Sequence, residues 1–332
     1  MAAAVASPAL TRNRWIIGRT VDLTLVSGSS LAGFAYIFLY SVCHVPISYL
    51  WWFWSVGFDG THIFATATRT YFDPGARRRD AVLLYGSAAV FFALGPALIL
   101  LDAKYLLAMI VAVWAYYHVV RQHYGFMVLY KVKNRDLATL DNFLDRAFLG
   151  VMLVAAPFLR FFVRHPEELG LPFRVSWAEP MVWTLVIAAA AAWIARQFRV
   201  PRRNLPKYLL FSGVVPLHWL TFALMSWQAA VPTVTIVHNL QYHALVWFHN
   251  RNRYSGDGVP AIPRAVTRSL ATYAIAALLF SAAYRIPGFH LGKVSDLAFG
   301  FFCGFGLTHY YLDSRIWRVR HDPQLKEALQ LA

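Results

Sequence analysis

The chain of 332 residues is poor in cysteine, poor in acidic residues and poor in charge generally. Its two cysteines, Cys43 and Cys303, both lie inside apolar runs, which excludes a disulfide framework and a thiolate metal site. Any metal chemistry must therefore use histidine and carboxylate. Charged residues make up 14% of the chain against 58% hydrophobic and 16% aromatic residues, a balance outside that of soluble globular domains. The sequence has no glycine-rich nucleotide fingerprint, no Ser/His/Asp ordering, no long linker and no internal repeat. Residues 1–22 carry arginines but no compact apolar stretch before a cleavage site, so they are expected to form a cytoplasmic N-terminal segment rather than a signal peptide.

What is present is apolar length. A spanning helix needs about 20 mostly apolar residues. Ten segments qualify: 23–43, 47–68, 81–101, 105–130, 143–163, 180–196, 207–228, 231–249, 266–284 and 294–313. The expected fold is an all-α polytopic integral membrane bundle of about ten spans over 23–313, with a cytoplasmic tail at 314–332.

The formal charge of +15 is divided among short clusters between apolar runs, so it marks topology and excludes a nucleic-acid face. With the N-terminus inside, 23 Lys and Arg fall in the inner connections and six in the outer ones. Positive charge is retained on the cytoplasmic side in short loops, which predicts an N-in/C-in chain in a bacterial-type inner membrane.

The histidines were not used to derive that orientation, yet they follow it. His62, His118, His123, His238, His243 and His309 all fall in the inner part of inward-running segments, at similar depth. Ionisable groups are costly inside a membrane, face the bundle interior and mark function. One polar pocket shared by several helices is therefore expected. Asp59 stands three before His62 and Asp313 four after His309, spacings that place carboxylate and imidazole on one helical face. Such a pair can share a metal, or the carboxylate can orient the ring. Gln122 lies four after His118, Asn239 four before His243 and Gln241 three after His238, where amides can hold ring tautomers or substrate polar groups. Tyr116, Tyr117, Tyr242, Tyr310 and Tyr311, beside the histidines, are hydrogen-bond partners or interfacial belt residues, with the belt as the default. His44, His165, His218, His290 and His321 lie elsewhere in the topology and are read as ordinary hydrogen-bonding residues.

The pairs "HVVRQH" (His118–His123) and "HNLQYH" (His238–His243) are five residues apart. In a straight helix that spacing separates two rings by about 140° and roughly 7.5 Å along the axis. One metal cannot easily take both. Two metals, or a π-bulge, would accommodate them. His249, about 16 Å beyond His238 along the axis, is a weaker ligand candidate.

These stretches resemble the boxes of the histidine-box membrane non-haem iron oxygenases: fatty-acid desaturases, acyl and sterol hydroxylases, and alkane hydroxylases. The resemblance implies two irons at cytoplasmic helix ends, activating O2 against an unactivated C–H bond. The chain departs from that pattern in having no adjacent histidine pair, hence no HxxHH box, and in its number of spans. A second resemblance is to the membrane carotenoid-cleaving dioxygenases. It implies one iron and four histidines drawn from several helices, a count that His62, His118, His238 or His243, and His309 would suit.

The expected function is an oxygen-dependent oxidoreductase with one or two non-haem irons. It would hydroxylate, desaturate or cleave a lipophilic substrate among membrane lipids and draw electrons from a cytosolic donor attracted to the basic inner face. The metal ligands expected are His62, His118, His123, His238, His243, His309 and Asp313, with Asp59, Gln122 and Asn239 assisting. The rival readings are a transporter or proton relay using the same His/Asp ladder, and a haem-bearing electron carrier.

Overall fold

The computed structural model describes residues 13–200, 202–256 and 258–331, and every regular element among them is helical. The long helices are α1 (Arg19–Ser41), α2 (Ile47–Trp54), α3 (Gly60–Arg69), α4 (Ala81–Leu100), α5 (Lys104–Lys133), α6 (Thr139–Arg164), α7 (Ser176–Gln197), α8 (Leu205–Leu224), α9 (Trp227–Arg253), α10 (Leu270–Val294) and α11 (Asp296–Ile316). A short helix, α12 (Pro323–Ala328), follows.

Six of these, α1, α4, α6, α7, α8 and α10, are long and apolar enough to cross a membrane. Much of their surface faces outward, as lipid-facing spans require. The other four expected segments are helical too, but polar: α2–α3, α5, α9 and α11 carry the histidines. The division has a physical basis, because a helix carrying imidazoles and carboxylates must turn them toward protein. All ten residues of α3 are buried, as are most of those along α9.

Local chemistry sets the joints. The α2 helix passes through a π-helical turn, Ser55–Asp59, into α3, so the chain is locally underwound just before His62. Ser281 of α10 donates to Val56 O at 2.7 Å and braces that turn. Between α10 and α11 the single extended residue Ser295 breaks the helix, and its hydroxyl accepts from Ala298 N to start the next one. The α11 helix then lies along α4 with backbone on backbone. A Cβ on Gly95 would come 1.9 Å from Gly300 O, an approach only glycine permits.

Two lysines expected as loop markers are instead interior. Lys131 and Lys207 are 1% and 2% exposed, and they converge on Asp136 and Asp145. Lys207 Nζ lies 2.8 Å from Asp136 and 2.9 Å from Asp145, while Trp193 Nε1 donates to the other Asp145 oxygen at 2.8 Å. This network ties α5, α6, α7 and α8 together at one end. The terminal segments also pack on the bundle. Backbone N–H groups of Ile16 and Ile17 donate to Asp22, and Leu325 and Leu329 are buried, with Asn252 donating to Ala328 O at 2.7 Å.

Candidate metal centre

Four helices each contribute one imidazole to a buried cluster, His62 from α3, His118 from α5, His238 from α9 and His309 from α11, whose ligand atoms form two groups sharing His309: His62/His238/His309 and His118/His309/Asp313. Their rings form a closed circuit. Centroids are 4.4 Å apart for His62–His309, 5.3 Å for His62–His238, and 4.8 Å for both His118–His238 and His118–His309, each pair nearly perpendicular. None of the four is more than 9% exposed.

Nitrogen positions are more informative than ring positions. His62 Nε2 and His309 Nε2 stand 3.0 Å apart. Two nitrogens bonded to one ion at about 2.1 Å would be about 3.0 Å apart at an angle near 90°, so this pair suits adjacent ligands. His62 Nδ1, His118 Nε2 and both nitrogens of His238 are buried with no hydrogen-bond partner. Buried polar groups are nearly always satisfied, and orphaned ones cost of order 1–3 kcal/mol each. Each imidazole gives one nitrogen to a given ion, so an ion held beside His62 Nε2 and His309 Nε2 could also satisfy His118 Nε2 and one nitrogen of His238, and four imidazoles with a carboxylate at the edge suit iron, zinc or copper.

Outside the rings lies a hydrogen-bonded layer. Thr66, one turn after His62, donates to Asp313 Oδ1 at 2.9 Å. Its oxygen therefore accepts from His309 Nδ1–H at 2.7 Å, leaving the lone pair of His309 Nε2 directed at His62. Tyr242, one turn after His238, donates to Asp313 Oδ1 at 2.7 Å and lies 2.7 Å from Thr66. A ligating imidazole whose other nitrogen donates into a fixed acceptor is oriented and made more basic. Asp313 Oδ2 is itself 3.7 Å from His118 Nε2, so this carboxylate stands at the rim of the cluster.

The structure sorts the expected site residues by helix rotation. Both α5 and α9 run as regular α-helix through their HxxxxH stretches. Each helix thus turns its first histidine into the cluster and its second away. His123 faces His218 of α8, ring centroids 5.6 Å apart, and His243 lies between Thr61 and Tyr273 at 3.0 and 2.9 Å. His249 is held by Arg69 and Asn250, away from the rings. Asp59 pairs with Arg285 of α10, and its other oxygen is 3.8 Å from His62 Nδ1. Gln122 donates to the backbone O of His238 at 2.8 Å, fastening α5 to α9 beside the cluster. Asn239 is buried, and neither polar atom of its side chain has a partner. Sequence reasoning passed over Thr66 and set a belt position ahead of a hydrogen-bonding role for Tyr242, which is 1% exposed. Their signal was the four-residue step from His62 and His238, which shares a helical face.

Fold and site together describe an all-helical chain, compatible with a multi-pass membrane protein, whose polar inner helices enclose a buried histidine cluster. No family model, curated protein or solved structure matches it.

Proposed function

We propose that the chain is a membrane oxidoreductase in which His62, His118, His238 and His309 hold one non-haem iron, with Asp313 at its rim. The observation that carries this reading is the closed circuit of four buried imidazoles from four helices, with ring nitrogens left unpaired. Iron so held would supply O2 activation. The substrate class is lipophilic, because six of the helices in the same bundle are apolar enough to cross a membrane and carry few charges. The reaction is hydroxylation, desaturation or oxidative cleavage.

The protein's own residues have definable roles in such a reaction. The His309–Thr66–Asp313 chain fixes one ligand's tautomer, Tyr242 and Thr66 hold the Asp313 carboxylate in place, and the surrounding apolar side chains exclude water. A haem between His62 and His309 is disfavoured by distance: opposed ligands at about 2.0–2.1 Å from iron would be about 4 Å apart, not 3.0 Å. The same reading carries the ten-span N-in/C-in topology, the bacterial-type inner membrane, and a cytosolic electron donor drawn to the basic loops.

The direct test is elemental analysis of the purified, folded chain beside its optical spectrum. About one iron per chain without a Soret band is expected. Protein that binds no transition metal, even after reconstitution under reducing conditions, would remove this function. Lipid extracts from cells with and without the chain then identify the substrate by the product that disappears.

A further inference from the structure

A second site lies at the end of the bundle that holds the Lys131/Lys207 network. The C-terminus of α5, the N-terminus of α6, the loop after α7 and the N-terminus of α8 enclose an open cavity of about 200 Å³. Three arginines line it: Arg135, Arg202 and Arg203. Two carboxylates line it as well, but both are engaged elsewhere. Asp136 pairs with Lys131 and Lys207, and Asp141 pairs with Arg196 through Oδ1 at 2.6 Å. Among the described residues none of the three arginines has a carboxylate within ion-pair distance, so the cavity presents unneutralised positive charge.

The surroundings say what kind of anion belongs there. Leu137, which lines the cavity, is 53% exposed, and Leu140 and Phe198, next to the lining residue Asp141 and two before the lining residue Val200 in sequence, are 53% and 82% exposed. They sit at or just beyond the ends of α6 and α7, two of the helices apolar enough to span a membrane. A concave cationic site at the end of such helices, flanked by uncovered apolar side chains, matches a molecule with a charged head and hydrocarbon tails. A phosphate alone would leave the apolar flank without a partner.

We propose that this cavity binds the headgroup of an anionic phospholipid, with Arg135, Arg202 and Arg203 on the phosphate and the acyl chains along Leu137, Leu140 and Phe198. Guanidinium suits phosphate because its fork donates two parallel hydrogen bonds. The site is separate from the histidine cluster and does not depend on its metal. Bound there, a lipid would also cover the paired lysines and aspartates that join four helices at this end.

The test uses the full chain in neutral phosphatidylcholine nanodiscs, with and without phosphatidylglycerol. Binding is read by native mass spectrometry and by thermal unfolding. Phosphatidylglycerol is expected to stay bound and raise the unfolding temperature of the wild type. The triple variant Arg135→Gln/Arg202→Gln/Arg203→Gln should bind about 100-fold more weakly, given the attraction each surface cation contributes. The triple lysine variant, which keeps the charge but loses the paired hydrogen bonds, should bind with an affinity between those of the wild type and the glutamine variant. All three side chains are exposed, so equal unfolding temperatures in pure phosphatidylcholine will show that the variants fold. Equal stabilisation of wild type and glutamine variant by phosphatidylglycerol would overturn the site. Displacement of the lipid by inorganic phosphate at equal concentration would overturn the assignment to a lipid.

Discussion

His62 and His309 are separated by 247 positions in sequence, yet their Nε2 atoms stand 3.0 Å apart. Each belongs to a polar helix enclosed by more apolar ones, and the contact joins α3 to α11 at the centre of the molecule. Both rings are at most 3% exposed, so bulk solvent does not reach them.

The first prediction separates cluster residues from their sequence neighbours. His62→Ala, His118→Ala, His238→Ala and His309→Ala should each lower bound metal at least tenfold, whereas His123→Ala and His243→Ala should leave it near the wild-type level. Mass spectrometric metal analysis of folded, monodisperse protein makes the comparison. If His123→Ala or His243→Ala loses as much metal as the other four, helix rotation has been misjudged and the ion lies elsewhere.

The second concerns the layer behind the rings. Thr66→Val keeps the volume of the side chain and removes the hydroxyl that joins His309 Nδ1 to Asp313. Tyr242→Phe removes a second donor to that carboxylate. Loss of such outer partners lowers metal affinity 10- to 100-fold, and each variant is expected in that range. Chelator competition measures it, and affinity unchanged in both would show that the hydroxyls are ordinary packing contacts.

The third concerns Arg285, whose ion pair with Asp59 sits beside the π-helical turn that precedes His62. The Arg285 side chain is 28% exposed and that of Asp59 11%, so removing the arginine leaves a partly buried charge uncompensated and costs a fraction of the roughly 3–5 kcal/mol that breaking a fully buried pair does. Arg285→Ala should therefore unfold at a clearly lower temperature in detergent, and Arg285→Lys should recover part of the loss. An Arg285→Ala protein as heat-resistant as wild type would show that Asp59 finds another partner or water.

The fourth tests whether packing far from the cluster holds it together. A side chain at Gly95 must push against Gly300 O, whereas Gly86 of the same helix has open space around its Cβ position. Gly95→Val should cost about 1–3 kcal/mol by overpacking and shift α11, which carries His309, so metal content should fall as well. Gly86→Ala should change neither quantity. Normal metal binding in a folded Gly95→Val protein would mean that α4 does not position α11.

The sequence by itself determined the helical class, because apolar runs of spanning length and an isolated histidine set at a common depth are local properties that survive any packing. It also narrowed the cluster to a small set of imidazoles and identified the carboxylate Asp313. Tertiary structure alone chose among them. A helix can rotate about its axis without altering its sequence pattern, so whether His118 or His123 points inward depends on what α8, α9 and α11 press against it. The same holds for Asp59, read as a ligand or ligand partner, which α10 claims with Arg285, and for Lys131 and Lys207, counted among the charges of the inner connections, which Asp136 and Asp145 draw inside. Pairings across many helices are made by close packing, and no periodicity within one helix encodes them.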